Sequence, residues 1–523
     1  MESGGCTLRL LYLVFTTCFG NNFQMGYLVT SVNVPQFVIL RWIRQVRCNE
    51  HAAQNDTLYA YNQTDYNNLW CREISPGDED TMLAHNTELS TLWAIIGSVL
   101  SAGAFVGVWP SSLLLASIGN KNSIYLVNII AVLGTVACSL CTAFESVTLL
   151  IVGRFLLGLF HGLIGIFVPV YIAEVSPVKF RGAMQSAPVI TFNLGMLTAI
   201  LVSLPNVLGN EYLWSFITWT RLIGVVFTFA TLPFCPESPV YLLSKRRHEE
   251  ARHSLQWLRN TDKVEEELNE IQLECDRSAE KASVSMIELF ETTILRKTLY
   301  ICVMAMVIQQ LTGFSVVITF STSILANAGL DKTSTLYGSI SLVGLQNLGA
   351  VLSMFLVERA GRRLLFLIGC AGCAVSCLGL VIFIQLSGYS SAFAYGSLSA
   401  LLIFMLSFSL GVASVPWIWP PELFPANARG VGMIITTAFC YLGSLVTIFV
   451  APIAEVIIGE WIFAVFAGCT VVGVVYMYFA SIETKGKPFE MIDAELRKKF
   501  GLGRDGRLSA GTMSESGSQS SRC

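Results

Sequence analysis

The sequence predicts an all-α membrane protein: twelve transmembrane helices in two six-helix bundles, with short intracellular helices. Three observations carry this. The 523-residue chain is 53% hydrophobic and only 13% charged, about half the charged share of a soluble domain, and its mean hydropathy is +0.61. Twelve stretches approach the ~20 mostly apolar residues that a bilayer crossing needs. They run over 9–34, 91–117, 122–143, 147–173, 184–208, 213–234, 298–326, 336–357, 364–386, 393–419, 431–456 and 461–481. Finally, a charged motif occurs twice between apolar runs. Glu174, Pro177, Arg181 and Gly182 recur in identical spacing as Glu422, Pro425, Arg429 and Gly430, and Pro236-Glu237-Ser238 is echoed by Glu483-Thr484-Lys485. Duplicated charges at the ends of membrane spans are the plan of a two-half carrier.

The same numbers exclude other classes. A net charge of −3 gives no basis for nucleic-acid binding. The 15 cysteines lie mostly inside apolar runs, and the 5 histidines stand in no metal-ligand spacing, so the chain implies no metal and no cofactor. No enzymatic constellation emerges.

In chain order, residues 1–234 read as the first bundle, 235–297 as an intracellular helical linker, 298–481 as the second bundle and 482–523 as a cytoplasmic tail, disordered from about 500. The first stretch has one basic residue, lacks a small-residue cleavage site and continues into Asn21, Asn22 and Gln24. It reads as a retained helix facing a cavity rather than a signal peptide. The segment 35–90 reads as an extracellular loop, because Asn55 and Asn62 begin N-x-T glycosylation sequons and glycosylation takes place on the lumenal face. Both termini are then cytoplasmic, an orientation that basic residues outside the long loops favour only weakly. Cys48 and Cys71 share that loop, where oxidising conditions permit a disulfide; whether they pair is left open. In the linker, Asp262 and Glu265 read as a helix cap, and Val264, Leu268 and Ile271 as an apolar stripe. Packing against the membrane bundle is favoured there over partner binding.

Between the eighth and ninth stretches stands Glu358-Arg359-Ala360-Gly361-Arg362-Arg363. Arg362 and Arg363 are positioned to reach carboxylates at neighbouring helix ends, with Glu422 and Glu483 as candidates. One such cluster would mark only orientation. The duplicated Glu and Arg set favours a breakable latch between the halves.

These residues, with Val152-Gly153-Arg154, Pro169-Val170-Tyr171, Gln309-Gln310-Leu311-Thr312-Gly313 and Pro416-Trp417, resemble the sugar-porter family of the major facilitator superfamily. Within it the chain is most similar to the animal facilitative glucose transporters. The likeness spans about residues 9–490. It implies a central sugar cavity, alternating access by rocking halves, and a cytoplasmic latch of Glu174, Arg181, Glu237, Glu358, Arg362, Arg363, Glu422, Arg429 and Glu483. It also implies sugar contacts from Gln309, Gln310, Ser315, Gln346 and Trp417, since amides pair with hydroxyls and an indole covers a sugar's C–H face.

The chain departs from the family in several places. An Arg pair is replaced by Asn120-Lys121, and the arginine after the P-E-S-P run is Val240. In the cavity a glutamine is replaced by Val189, a tyrosine pair by Thr319-Phe320, a glutamate by Ser409, and an Asn-Trp pair by Cys440-Tyr441. Gln309 and Gln310 are therefore also readable as helix-linking residues. Arg154 matches a family arginine and reads as structural. Arg221 matches nothing expected; an intramembrane charge is expensive, so it reads either as a snorkelling side chain or as an anchor for an anionic solute. Leu28 replaces the acid that proton-coupled relatives carry, which favours facilitated diffusion of a hexose or similar small polyol. An organic-acid carrier and a non-transporting sugar sensor remain the alternatives. The expected setting is a plasma membrane; oligomeric state is left open.

Overall fold

Twenty mostly apolar residues in lipid must satisfy their own backbone polar groups, so the chain crosses as helices. The computed structural model describes residues 7–55, 87–177, 180–280, 284–487 and 489–501. Its first crossing, α1, has three parts: Leu8–Thr17, a π-helical turn Cys18–Asn22, and Phe23–Thr30. Then come α2 (Thr87–Val108) and the run Ser111–Leu140. That run is broken at Gly119, with φ 84° and ψ 175°; residues before the break prolong α2, and those after it form α3. The first half is completed by α4 (Val147–Val175), α5 (Arg181–Val202) and α6 (Phe216–Phe234).

The second half comprises α7 (Thr293–Asn327), α8 (Lys332–Ala360), α9 (Arg362–Leu386), α10 (Ala392–Leu423), α11 (Ala426–Ile458) and α12 (Ile462–Ala480). Among the described residues 10 stretches are long and apolar enough to cross a membrane. The longest, Asn427–Ala480, holds both α11 and α12, which meet at Gly459. The polar, π-turned α1 falls outside that set and brings the crossings to twelve.

Pairings repeat between halves. α4 packs on α2 and α3 and α1 on α5, as α10 packs on α8 and α9 and α7 on α11. The halves meet along α2 against α11 and α5 against α8. At one end Asn33, just past α1, closes the gap: its Nδ2 donates to Ile318 O at 3.1 Å and Ser321 Oγ at 2.6 Å, and Thr322 Oγ1 donates to its Oδ1 at 2.9 Å.

The 235–297 linker lies at the opposite end, hereafter the linker end. Its Val264 and Leu268 are buried with Leu242, Leu243 and Leu255, and Ile271 packs beside them. Glu265 does not pair with Asp262 in a cap; its carboxylate meets Arg252 at 2.7 Å. Arg259 Nη1 donates to Val175 O at 3.1 Å and pins the linker under α4.

Two sequence expectations need amendment. Asn21 and Gln24 face the first half's own interior rather than a cavity: Asn21 Oδ1 accepts from Asn128 Nδ2 at 2.7 Å, and Gln24 meets Arg221. The segment expected as a loop begins with a helix, Gln36–Asn55. Ile39, Ile43 and Val46 recur there on one buried face, a helical period. Cys48 is disulfide-bonded; Asn62 and Cys71 lie outside the described residues, as do 502–523.

Candidate functional site

The duplicated charges form two clasps at the linker end. In the first half the chain turns at Gly119, and Glu237 Oε1 accepts from Asn120 N at 3.0 Å and Lys121 N at 3.2 Å. In the second half it turns at Gly361, φ 93°. There Glu483 Oε1 accepts from Arg362 N at 2.9 Å, and its Oε2 from Arg363 N at 3.1 Å. Both turns need glycine. A Cβ at Gly119 would lie 2.7 Å from Glu237 Oε2, and one at Gly361 2.6 Å from Glu483 Oε2, at a φ that side chains disfavour. Each carboxylate thus binds two N–H groups that lack a helical partner at the start of a helix, the position that favours negative charge. Burial raises the Glu237 carboxyl above its usual value, against the pull of its backbone hydrogen bonds.

The clasps differ one layer deeper. Arg362 Nη2 reaches Glu358 at 3.0 Å and Glu422 at 3.2 Å. At the matching place Asn120 Nδ2 donates to Glu174 at 2.7 Å. A neutral amide stands where the second half has a guanidinium. Arg363 turns to α12, donating to Tyr478 O and lying 5.3 Å over the Tyr478 ring. The contacts above join each of the five carboxylates to its own half. Arg429 lies in the first turn of α11; the Arg181 side chain lies outside the described residues.

Deep between the halves, amides and hydroxyls replace charge. Gln309 Nε2 donates to Val412 O at 2.7 Å and Ala413 O at 3.2 Å, carbonyls at the π-helical turn Phe408–Val412 of α10. Gln310 Nε2 meets Cys440 Sγ at 3.2 Å, while its Oε1 accepts from Ser315 Oγ at 2.5 Å. Ser315 Oγ in turn accepts from Ser444, which bonds Ser101 of the first half at 3.0 Å. Gln346 Nε2 donates to Asn193 Oδ1 of α5 at 3.2 Å, and Asn347 Nδ2 to Asn193 O. Trp417 remains 37% exposed. Gln309 and Gln310 thus do link helices, as their second reading held, while Gln346 bridges the halves.

Sequence reasoning missed His161 and Asn193. His161 on α4 faces Tyr441 on α11 with ring centroids 5.4 Å apart. A lone histidine in an apolar run carries no readable signal; only the folded chain sets it against the other half.

Both intramembrane arginines are buried. Arg154 Nε donates to Ile96 O at 2.6 Å, a tie between α4 and α2. Arg221 lies inside the first half, with Nη1 to Thr135 Oγ1 at 3.2 Å, Nη2 to Gln24 Oε1 at 3.3 Å, and its guanidinium 5.3 Å from the Phe160 ring. At 3% exposure it does not snorkel.

A family model described as "Sugar (and other) transporter" matches residues 13–496. The chain is 31% identical over 501 residues to the solute carrier family 2 facilitated glucose transporter member 3 of Canis lupus familiaris, covering 95% of this chain and 94% of that protein. It is 34% identical over 512 residues to the Rattus norvegicus member 3, covering 98% and 97%. Among solved structures, the proton:xylose symporter XylE bound to 6-bromo-6-deoxy-D-glucose superimposes with a TM-score of 0.71 at 17% identity, over 94% of this chain and 100% of that one. The inward-open XylE of E. coli also gives 0.71 at 17% identity, over 93% and 99%. At that identity the likeness is one of fold.

Proposed function

The chain belongs to the sugar (and other) transporter family, and from that membership we propose that it carries a hexose or similar small polyol down its gradient by alternating access. One observation supports this most: a band of amides and hydroxyls, Gln309, Gln310, Ser315 and Gln346, buried in the interface between two six-helix halves. Hydroxyls need paired donors and acceptors, which amides supply together. Trp417 on α10, partly exposed, is the natural cover for a ring's apolar face.

In this reading the linker end and both termini face the cytoplasm, the Gln36–Asn55 helix faces outward in a plasma membrane, and Asn55 and Asn62 accept glycans. The bonds of Asn33 to α7 tie the halves together at the outer end. Leu28, where a coupling acid would stand, supports uniport. Arg221 is already engaged by Gln24, Thr135 and Phe160, which weighs against an anion anchor.

Counterflow in proteoliposomes tests the proposal. Trans-loaded hexose should accelerate entry of labelled hexose, and a protonophore should leave it unchanged. Exchange of an organic acid instead would replace the reading with a same-fold acid carrier; saturable sugar binding without exchange would make the chain a sensor.

A further inference from the structure

We propose that His161 and Tyr441 form a hydroxyl-reading pair through which the first half takes a direct share in gripping the solute. The inference rests on the reading that the chain carries a polyol. Burial gives the first support: His161 is 7% exposed, Tyr441 6% and Gln346 4%. Yet among the described residues His161 Nδ1, the Tyr441 hydroxyl and Gln346 Oε1 have no hydrogen-bond partner. A buried polar atom left unpaired is uncommon and costly. Tyr441 of α11 meets His161 of α4 across the interface, and Gln346 of α8 crosses it separately to Asn193 of α5.

Packing alone does not account for them. At 441 phenylalanine would preserve the edge-to-face contact, with its 73° interplanar angle, without leaving a hydroxyl unpaired. The chain also keeps room beside the hydroxyl: a Cβ at Gly165, one helical turn from His161, would lie 2.9 Å from the Tyr441 oxygen.

The sense of the bonds narrows the ligand. His161 also bonds the Met25 backbone, so with that nitrogen donating, Nδ1 presents a lone pair. Gln346 has committed its amide nitrogen to Asn193, so its oxygen presents acceptors. Tyr441 works either way. An acceptor on His161 beside the Tyr441 hydroxyl, with a further acceptor on Gln346 of the same interface, suits a solute that donates from several hydroxyls, a pyranose or a cyclitol. A carboxylate, which only accepts, finds one donor there. Because His161 lies in one half and Tyr441 and Gln346 in the other, a solute bonded to both draws the halves together.

The test uses full-length protein in proteoliposomes with His161→Phe and Tyr441→Phe. Each retains its aromatic body; Tyr441→Phe loses only the hydroxyl, whereas His161→Phe loses Nδ1 together with the nitrogen that bonds Met25. Each should raise the KM for the parent hexose roughly tenfold, with kcat little changed. Against a series of mono-deoxy hexoses, wild type and variant should converge on the analogue lacking the contacted hydroxyl. Wild-type KM and an unaltered deoxy profile in variants that still carry hexose would overturn the pair and leave the transport reading intact. Absence of any hexose exchange by wild type would overturn both. Should His161→Phe fail to fold, the single-atom Tyr441→Phe decides alone.

Discussion

Glu237 and Glu483 perform one task at equivalent places: each accepts the first two backbone N–H groups after a glycine of positive φ, Gly119 or Gly361. The carboxylate holds a helix start by its backbone donors, so the contact survives any change but proline in the residues whose backbone it grips. That explains how Asn120-Lys121 and Arg362-Arg363 occupy the same geometry with different side chains.

Glu237→Gln, which trades one acceptor oxygen for a donor, should cost about 1–3 kcal/mol and lower the unfolding temperature in detergent. It should also remove a pH dependence. Burial holds the Glu237 carboxyl above its usual 4.5, so the folded chain binds this proton more readily than the unfolded one. Its contribution to stability therefore falls as pH climbs from the ordinary carboxylate value to the raised one, and is level above that. Melting curves across that window should show the decline in wild type and not in the variant; parallel curves would refute the assignment.

Asn120→Arg supplies the guanidinium that the second half has at Arg362. Facing Glu174, it should strengthen the first clasp by roughly 1–2 kcal/mol, the margin by which charge-assisted bonds exceed neutral ones. A higher melting temperature is expected, with slower reorientation in zero-trans efflux. A lower melting temperature would mean that the pocket does not admit the longer side chain.

Gln309 serves α10 as much as any solute. Gln309→Leu strips Val412 O and Ala413 O of their donor, at a cost of about 1–3 kcal/mol for each buried group left unpaired. Because these carbonyls sit at a π-helical turn, kcat should fall more than KM rises. Steady-state uptake over a range of hexose concentrations separates the two; a pure KM effect would mark Gln309 as a ligand only.

Arg221→Gln should leave hexose uptake within about twofold of wild type, because its guanidinium is tied up inside the first half. Stability should drop by about 1–3 kcal/mol, as Thr135 and Gln24 lose a charged donor. Loss of uptake at normal stability would place Arg221 in the transport path instead.

Much of the fold was legible because spans and helix-end charges are written locally. Glu174, Glu237, Glu422 and Glu483 stand at apolar boundaries, where a charge has few other reasons to be. What those charges touch was not legible. Arg363 looked as well placed as Arg362 to reach a carboxylate, yet it stacks on Tyr478, because consecutive helical residues point in different directions. The centre was harder still. Ser315, Gln346 and Trp417 were marked by resemblance, whereas His161 and Asn193 sit among apolar neighbours and acquire meaning only when α11 and α8 are brought against them. Arg221 was conspicuous in sequence, but its partners Gln24 and Thr135 lie about 197 and 86 positions away.

The mismatch between Asn120–Glu174 and Arg362–Glu422 has a bearing on how the molecule meets its surroundings. Mobile ions weaken attraction between opposite charges far more than they weaken a bond from a neutral amide. Changing electrolyte around the linker end thus acts on the second half chiefly through its Arg362–Glu358 pair, where Glu358 is exposed, and spares the first, and the two arms of this rocking machine answer unequally to the same medium.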